Sequence, residues 1–264
     1  MNKESYFENI KTYKFLANKS LGQNFLINPE IAEKIVNLLD LESEDNTLEI
    51  GAGLGSLSIY LAESKSRIEL IDIDERMLSH LEKTFKDYDN VIIRRQNILK
   101  EDLTKYSKIV GNLPYYITSG IIEHVLLNAI NAKKIVLMCQ KEVYPKLLKS
   151  FISPLSLLLN YVCNISLPIN VGRNNFIPVP HVDSVVFTLI PNENIKKTEN
   201  KALLNLMQKL FLHRRKTILN CLQNVIGDKT KAQSILTNMK VNSQLRPEQL
   251  DINFYISLLK MLKS

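Results

Sequence analysis

The 264-residue sequence has few of the residues that build disulfide frameworks and metal sites. Its three cysteines, Cys139, Cys163 and Cys221, are far apart, and each stands beside apolar residues. Cysteines without C-x-x-C spacing in apolar surroundings are typical of buried thiols in a reducing compartment, which argues against a disulfide framework or a zinc site. The four histidines are scattered as well, so we expect no histidine-based metal site.

Long apolar runs are also absent from the sequence. No run approaches the roughly 18 apolar residues that a membrane-spanning helix needs. The first fifteen residues lack the apolar core of a secretory signal peptide, so a cytoplasmic protein is the expectation. We find no internal repeat and no low-complexity tract.

The composition that remains is that of a globular protein with a basic surface. Hydrophobic residues make up 45% of the chain and charged residues 23%, enough for a sizeable core. The net charge is +7 and the pI about 9.1, which suits a polyanionic partner such as nucleic acid. The alternative is that the basic excess is only a compositional habit.

Apolar runs that alternate with helical patterns indicate the fold class. They predict an α/β protein with a Rossmann-like, doubly wound and mostly parallel sheet of seven strands. The expected strands are residues 47–50, 67–71, 91–95, 108–110, 134–139, 165–171 and 184–190.

The sequence also suggests three parts along the chain. Residues 1–20 read as a basic N-terminal arm, either mobile or a short helix on the surface. Residues 21–191 would form the sheet domain, and residues 192–264 a small all-α domain after a polar linker. The helical part contains three adjacent cations, Arg214, Arg215 and Lys216, which could contact RNA phosphates or could simply be a solvated face.

A nucleoside-cofactor site is predicted at the first two strands. The first strand runs into a glycine loop, Gly51 to Ser56, and the second ends at Asp72, 21 residues after Gly51. Glycines allow a ligand to approach the main chain, and an acidic side chain at that place can accept the hydroxyl protons of a ribose. Because a dinucleotide site would usually have another glycine at Ser56, the pattern favours an adenosyl compound. The structural alternative is a tight βαβ turn.

Two further turns carry polar or aromatic groups. Asn97 ends the third strand, where its amide oxygen could accept from an adenine amine or form a simple Asx turn. The fourth strand ends in Gly111-Asn112-Leu113-Pro114-Tyr115, which offers a carboxamide, main-chain carbonyls and an aromatic ring to one crevice. That set can bind a planar amine by hydrogen bonds and stacking, although an Asn-x-Pro turn with a packed tyrosine is the simpler interpretation. Phe176 stands before two prolines in a stiff loop, and a core-packing phenylalanine is its alternative.

Five motifs follow one another along the chain. They are Leu21-Gly22-Gln23-Asn24-Phe25-Leu26, Glu49-Ile50-Gly51-Ala52-Gly53-Leu54-Gly55, Asn112-Leu113-Pro114-Tyr115, the Phe-x-Pro-x-Pro-x-Val-Asp-Ser pattern of residues 176–184, and the Phe-x-x-Arg-Arg-Lys-Thr pattern of residues 211–217. In this order they resemble those of a known family, the KsgA-type ribosomal RNA adenine N6,N6-dimethyltransferases, which use S-adenosyl-L-methionine. The resemblance extends from about Lys19 to the last helix.

The resemblance implies roles for single residues. Asn112, Leu113, Pro114 and Tyr115 would form the catalytic turn, Tyr115 and Phe176 would sandwich the target base, and the three cations would contact RNA phosphates. The cofactor-binding residues would be Asn24, Leu26, Gly51, Asp72, Asn97 and Asn112. The family more often has Glu at the position of Asp72 and Asp at that of Asn97, and residues 146–154 are shorter than its usual loop.

The family's activity is then the expected function: dimethylation of adenines in small-subunit (16S) rRNA within a pre-ribosomal particle, by a monomeric enzyme. The rival in the same class is a large-subunit rRNA adenine N6-methyltransferase of the macrolide-resistance type. A non-catalytic RNA-binding ribosome assembly factor is the alternative from another class. A DNA adenine methyltransferase would need a target-recognition domain that the sequence does not show, and a nicotinamide-linked oxidoreductase fits less well.

Overall fold

The computed structural model describes residues 3–12, 22–192, 194 and 199–263. The chain divides into two compact units. The first comprises Met1–Tyr144 and Asn164–Asn192, and the second comprises Pro145–Cys163 and Glu193–Ser264. No helix in the described part of the chain is long and apolar enough to span a membrane.

The first unit is built on a mostly parallel sheet, as predicted. Its strands are β2 Asn46–Ile50, β3 Arg67–Asp72, β4 Val91–Arg95, β5 Lys108–Asn112, β6 Lys134–Gln140, β7 Cys163–Ile165, β8 Ile169–Val171 and β10 Ser184–Pro191. Strands β2 to β6 pair in parallel in the spatial order β4-β3-β2-β5-β6, and β10 adds antiparallel to β6. Two short strands, β7 and β8, both pair with β10.

The sheet therefore has eight strands where the sequence predicted seven. The segment expected as one strand, 165–171, is interrupted between β7 and β8. Pro168 lies in that gap and has no N–H to donate to a ladder, and its neighbour Leu167 is exposed to solvent. The predicted doubly wound α/β class is otherwise confirmed.

Strand register brings the ends of β2, β3 and β5 to one edge of the sheet. Ile50 in β2 lies opposite Ile71 in β3 and opposite Gly111 in β5. The residues that follow, Gly51, Asp72 and Asn112, are therefore side by side at the carboxyl edge, where open α/β sheets bind ligands. These strands are buried along most of their length because helices flank both faces of a parallel sheet.

The helices of the first unit are α1 Lys3–Thr12, α2 Pro29–Asn37, α3 Ser58–Leu61, α4 Glu75–Thr84 and α5 Thr118–Asn128. Helix α2 begins with a local cap, because the Asn28 side chain accepts from the main-chain N–H of Ile31 and Pro29 occupies the first helical position. A separate two-stranded ribbon pairs β1 Phe25–Leu26 with β9 Phe176–Ile177.

Helix α1 differs from the predicted surface arm. Tyr6, Phe7 and Ile10 are 6%, 2% and 1% exposed and belong to the hydrophobic core of the first unit. Their spacing places these three apolar residues on one face of a helix. The prediction of a surface arm rested on the basic charge of residues 1–20 and overlooked this spacing. The rest of the predicted arm, residues 1–2 and 13–20, lies outside the described residues.

The second unit is helical. Its helices are α6 Pro154–Val162, α7 Asn200–Phe211, α8 Ile218–Ile226, α9 Lys229–Asn238 and α10 Ile252–Lys263. Helix α6 packs against α7 and α10, so it belongs to this unit and not to the sheet domain that was predicted to run unbroken to residue 191. The reason is its apolar face, with Leu158, Leu159 and Val162 buried. In the predicted polar linker, residues 191–197, residues 193 and 195–197 lie outside the described residues.

The three cysteines are free and buried, which confirms the prediction of buried thiols. Burial raises the pKa of Cys139 and of Cys163 to about 12. Both thiols are therefore protonated at neutral pH, and neither has the thiolate character of a reactive cysteine.

Candidate active site

A cavity of about 240 Å³ lies at the carboxyl edge of the sheet in the first unit. Five segments line it: residues 22–26 around β1, the glycine loop after β2, the end of β3, the turn after β4 and the turn after β5. Nine predicted site residues meet there, namely Asn24, Leu26, Gly51, Asp72, Asn97, Asn112, Leu113, Pro114 and Tyr115.

The glycine loop needs its glycines for conformation. Gly51, Gly53 and Gly55 have φ angles of +65°, +55° and +84°, which side chains with a Cβ rarely adopt. The main-chain N–H groups of Gly51 and Ala52 both donate to the Ile71 carbonyl, at 2.9 and 3.2 Å, and so tie the loop to β3. No atom lies within 4 Å of where a Cβ on Gly51 would stand, so a ligand can approach the main chain there.

Asp72 joins the glycine loop to the turn after β3. Its Oδ2 accepts from the N–H of Gly53 at 2.9 Å, and its Oδ1 accepts from the N–H of Asp74 at 2.9 Å. Burial raises the pKa of Asp72, and these two main-chain hydrogen bonds oppose that shift. Each carboxylate oxygen has a further lone pair, so Asp72 can still accept from the hydroxyl groups of a ribose.

Asn97 forms the Asx turn that the sequence left as an alternative. Its Oδ1 accepts from the N–H of Leu99 at 2.9 Å and caps a short 3-10 turn, Ile98–Lys100. The residue after that turn, Glu101, is held by Arg94 through an Nη2–Oε1 distance of 2.6 Å. Burial acts to raise the pKa of Glu101, but hydrogen bonds from Arg94 and Tyr106 outweigh it and lower the pKa to about 2. The turn that places Asn97 beside the cavity is thus braced by an ion pair.

Asn112 has an oriented carboxamide. Its Nδ2 donates to the main-chain carbonyl of Asn24 at 3.0 Å, and among the described residues no group donates to its Oδ1. The turn is fixed from two sides: the N–H of Leu113 donates to the Met138 carbonyl at 2.9 Å, and a Cβ on Gly111 would stand 2.9 Å from the Ile50 carbonyl oxygen. Asn112 therefore presents an acceptor to the cavity from a rigid backbone.

The two carbonyls of the Leu113-Pro114 segment are not equivalent. The Pro114 carbonyl accepts from Thr118 Oγ1 at 3.0 Å and from the N–H of Ile117 at 3.3 Å. Among the described residues, no group donates to the Leu113 carbonyl. Leu113 is therefore the residue whose carbonyl remains available as an acceptor next to Asn112.

Tyr115 is positioned by the fourth motif. Its hydroxyl lies 3.1 Å from Ser184 Oγ, at the first residue of β10. Burial raises the pKa of Tyr115, and the hydrogen bond with Ser184 opposes that shift. Tyr115 is half-buried and lines the cavity, so the serine that ends the 176–184 motif orients a ring of the Asn112-to-Tyr115 turn.

Phe176 does not lie where its predicted stacking role requires. Its exposed fraction is zero, and it does not line the cavity. In β9 it lies opposite Leu26 of β1, and this pairing turns the ring into the core beneath the segment that carries Asn24. The structure thus supports the alternative, a core-packing phenylalanine, since a fully buried ring has no face for a base.

Glu49 is a cavity residue that the sequence analysis did not single out. It is the penultimate residue of β2, two positions before Gly51, is 2% exposed, and accepts from Ser58 Oγ at 2.6 Å through Oε2. Burial raises its pKa to about 8; the Ser58 hydrogen bond opposes this shift and the nearby Asp72 charge adds to it. The available signal was an acidic residue near the end of a buried strand, two positions before the glycine loop.

The three adjacent cations lie in the second unit, in the turn between α7 and α8. Arg214, Arg215 and Lys216 are all exposed, and none pairs with an acidic group among the described residues. Thr217 ends the turn and caps α8 by accepting from the N–H of Asn220 at 3.4 Å. The predicted phosphate contacts remain a prediction.

The sequence of this chain matches a known protein family over nearly its whole length. The sequence profile of the family described as ribosomal RNA adenine dimethylase matches residues 14–263. The chain belongs to this family. Its members use S-adenosyl-L-methionine, and the open glycine loop, Asp72 and the acceptor on Asn112 fit such a cofactor.

Curated relatives agree over nearly the whole chain. "Ribosomal RNA small subunit methyltransferase A" of Levilactobacillus brevis is 36% identical over 270 residues, 94% of this chain and 91% of the relative. The protein of the same name in Alkaliphilus metalliredigens is 34% identical over 269 residues, 95% of this chain and 93% of the relative.

Two solved structures resemble the whole chain. A dimethyladenosine transferase from Plasmodium falciparum has a TM-score of 0.77 and 29% identity, with 90% of this chain and 97% of that chain covered. The 23S rRNA methyltransferase ErmE has a TM-score of 0.63 and 22% identity, with 91% and 100% covered. The second likeness shows a shared fold alone.

Proposed function

We propose that this chain transfers methyl groups from S-adenosyl-L-methionine to the exocyclic amines of adenines in small-subunit (16S) rRNA and dimethylates each target. The observation that carries the proposal is the oriented carboxamide of Asn112, with Nδ2 held by Asn24 and Oδ1 left as an acceptor. The choice of small-subunit rRNA rests on the names of the relatives.

Different cavity residues hold different parts of the cofactor. Gly51 gives close access to the main chain, Asp72 accepts from the ribose hydroxyls, and Asn97 lies where the adenine would bind. Asn24 and Leu26 cover the cavity from the β1 side. The cofactor supplies an activated sulfonium methyl group, so the protein needs chiefly to position the nucleophile and stabilise the charge that develops.

The turn from Asn112 to Tyr115 makes the adenine amine, which is a weak nucleophile, more reactive. The lone pair of the adenine amine is delocalised into the ring. When Asn112 Oδ1 and the Leu113 carbonyl accept its two N–H bonds, they favour a tetrahedral nitrogen and stabilise its developing positive charge. Because the attacked nitrogen becomes acidic as its new bond forms, no dedicated general base is needed.

Target entry requires an unstacked base. The amine of a paired and stacked adenine is inaccessible, so the base must be extruded or taken from a loop. Stacking on the Tyr115 ring offsets the cost with about 1–3 kcal/mol. In this account Tyr115 supplies the stacking alone, because Phe176 is buried.

The partner is rRNA in a pre-ribosomal particle, bound by a monomer with a net charge of +7. We assign phosphate contacts to Arg214, Arg215 and Lys216. A large-subunit methyltransferase has the weaker support, since ErmE shares only the fold. The available acceptor of Asn112 argues against a purely non-catalytic assembly factor.

The test is methyl transfer to isolated subunits. The protein is incubated with labelled S-adenosyl-L-methionine and, separately, with unmodified small and large ribosomal subunits, and the modified base is mapped. We expect label in small-subunit rRNA as dimethyladenine. Label in large subunits only would overturn the choice of substrate, and no label in either would overturn the proposed activity.

A further inference from the structure

The glycine loop is held on the side away from the cavity by the N-terminal helix. The Tyr6 hydroxyl of α1 donates to the Leu54 carbonyl, and Tyr6 does not line the cavity. Leu54 stands between Gly53 and Gly55, whose φ angles are both left-handed. Tyr6 therefore contacts the loop at the residue between two glycines that have left-handed φ angles.

The contact is tight. A Cβ on Gly55 would stand 2.6 Å from the Tyr6 hydroxyl oxygen and 3.1 Å from side-chain atoms of both Leu81 and Phe85. The Tyr6 ring is itself fixed, because it stacks on His80 with centroids 6.4 Å apart and meets the edge of Phe7 at 6.0 Å. The loop thus lies against a buried tyrosine ring that packs on His80 and Phe7.

Residues 22–26 hold the loop from the other side. Phe25 ring atoms lie 3.3 Å from where a Cβ on Gly53 would stand, and Ser56 Oγ donates to the Leu26 carbonyl at 2.6 Å. The loop is therefore enclosed between α1 and β1.

We propose that Tyr6 is a positioning residue for S-adenosyl-L-methionine, acting through the Leu54 carbonyl on the shape of the glycine loop. A loop that contains several glycines can adopt many backbone conformations when it is free. A ligand that binds only one of these conformations has a lower affinity, because the loop must lose conformational entropy on binding. The Tyr6 hydroxyl selects the binding conformation before the cofactor arrives. The inference deepens the proposed function and rests on it for the identity of the ligand.

Tyr6→Phe tests the proposal because it removes only the hydroxyl. Tyr255→Phe is the matched control, since it also removes only a buried tyrosine hydroxyl that donates to a main-chain carbonyl, that of Pro247, and Tyr255 does not line the cavity. Isothermal titration with S-adenosyl-L-methionine should show a Kd about fivefold weaker in Tyr6→Phe and within about twofold of wild type in Tyr255→Phe. The KM for the cofactor should rise in Tyr6→Phe while kcat at saturating cofactor stays unchanged.

Hydrogen exchange gives a second measurement. Without ligand, the amides of residues 53–57 should exchange faster in Tyr6→Phe than in wild type, and saturating cofactor should remove the difference. A wild-type Kd in Tyr6→Phe, or equal weakening in Tyr255→Phe, would overturn the positioning role. These comparisons use cofactor binding alone, so they stay informative if wild-type protein fails to methylate small subunits, which would count against the proposed function instead.

Discussion

Glu49 should make the stability of this protein depend on pH in the neutral range. Its pKa is about 8 in the folded chain against an ordinary value of 4.5. A raised carboxyl pKa means that the protonated form is favoured by folding, so its stabilising contribution is complete below about pH 4.5 and is lost as pH rises towards 8. The full loss corresponds to about 5 kcal/mol, and about 3 kcal/mol of it falls between pH 6 and pH 9.

The perturbation is Glu49→Gln, which keeps an acceptor for Ser58 Oγ and cannot ionise. Urea unfolding gives the free energy of unfolding of wild type and variant at about pH 6 and pH 9. The difference between them, variant minus wild type, should be about 3 kcal/mol larger at pH 9 than at pH 6. Glu30→Gln, at an exposed glutamate of α2, is the control and should show no such gain. A difference between Glu49→Gln and wild type that is the same at both pH values would refute the reasoning.

Three further outcomes follow from the site. Gly111→Ala should destabilise the protein by about 1–3 kcal/mol and lower methyl transfer, because the new Cβ would stand 2.9 Å from the Ile50 carbonyl oxygen and must displace the catalytic turn; unchanged melting and activity would contradict this. Phe176→Leu should lower the melting temperature, as expected for a fully buried ring; a KM for rRNA that rises with no loss of stability would restore the stacking role. Replacing Arg214, Arg215 and Lys216 with Gln should weaken rRNA binding and flatten its salt dependence in filter-binding assays, with cofactor affinity unchanged; an unaltered salt slope would mark a solvated face.

The sequence predicted the parallel sheet and the position of its ligand edge for a physical reason. Strands that are buried on both faces need nearly continuous apolar runs, so each of the strands β2 to β6 could be recognised separately in the sequence. The residues that end those strands then had to meet at one edge, and Asp72 and Asn112 do. The motifs carried the site because the chemistry of cofactor and amine needs specific groups at strand ends.

The features that the sequence did not predict depend on contacts between distant residues. The burial of Phe176 requires the pairing of β9 with β1, and that pairing leaves no local periodicity to read. The membership of α6 in the second unit depends on its packing against α7 and α10. Which of the two carbonyls after Asn112 is available depends on Thr118, which occupies the carbonyl of Pro114.

The central claim, that Asn112 acts on the amine of the target base, is tested most directly by Asn112→Ala. Labelled-methyl incorporation into unmodified small subunits should fall at least about 100-fold, while the Kd for S-adenosyl-L-methionine rises less than about fivefold. Asn131→Ala, at an exposed asparagine outside the cavity, is the control. Wild-type incorporation by Asn112→Ala, or a loss explained entirely by weaker cofactor binding, would contradict the account.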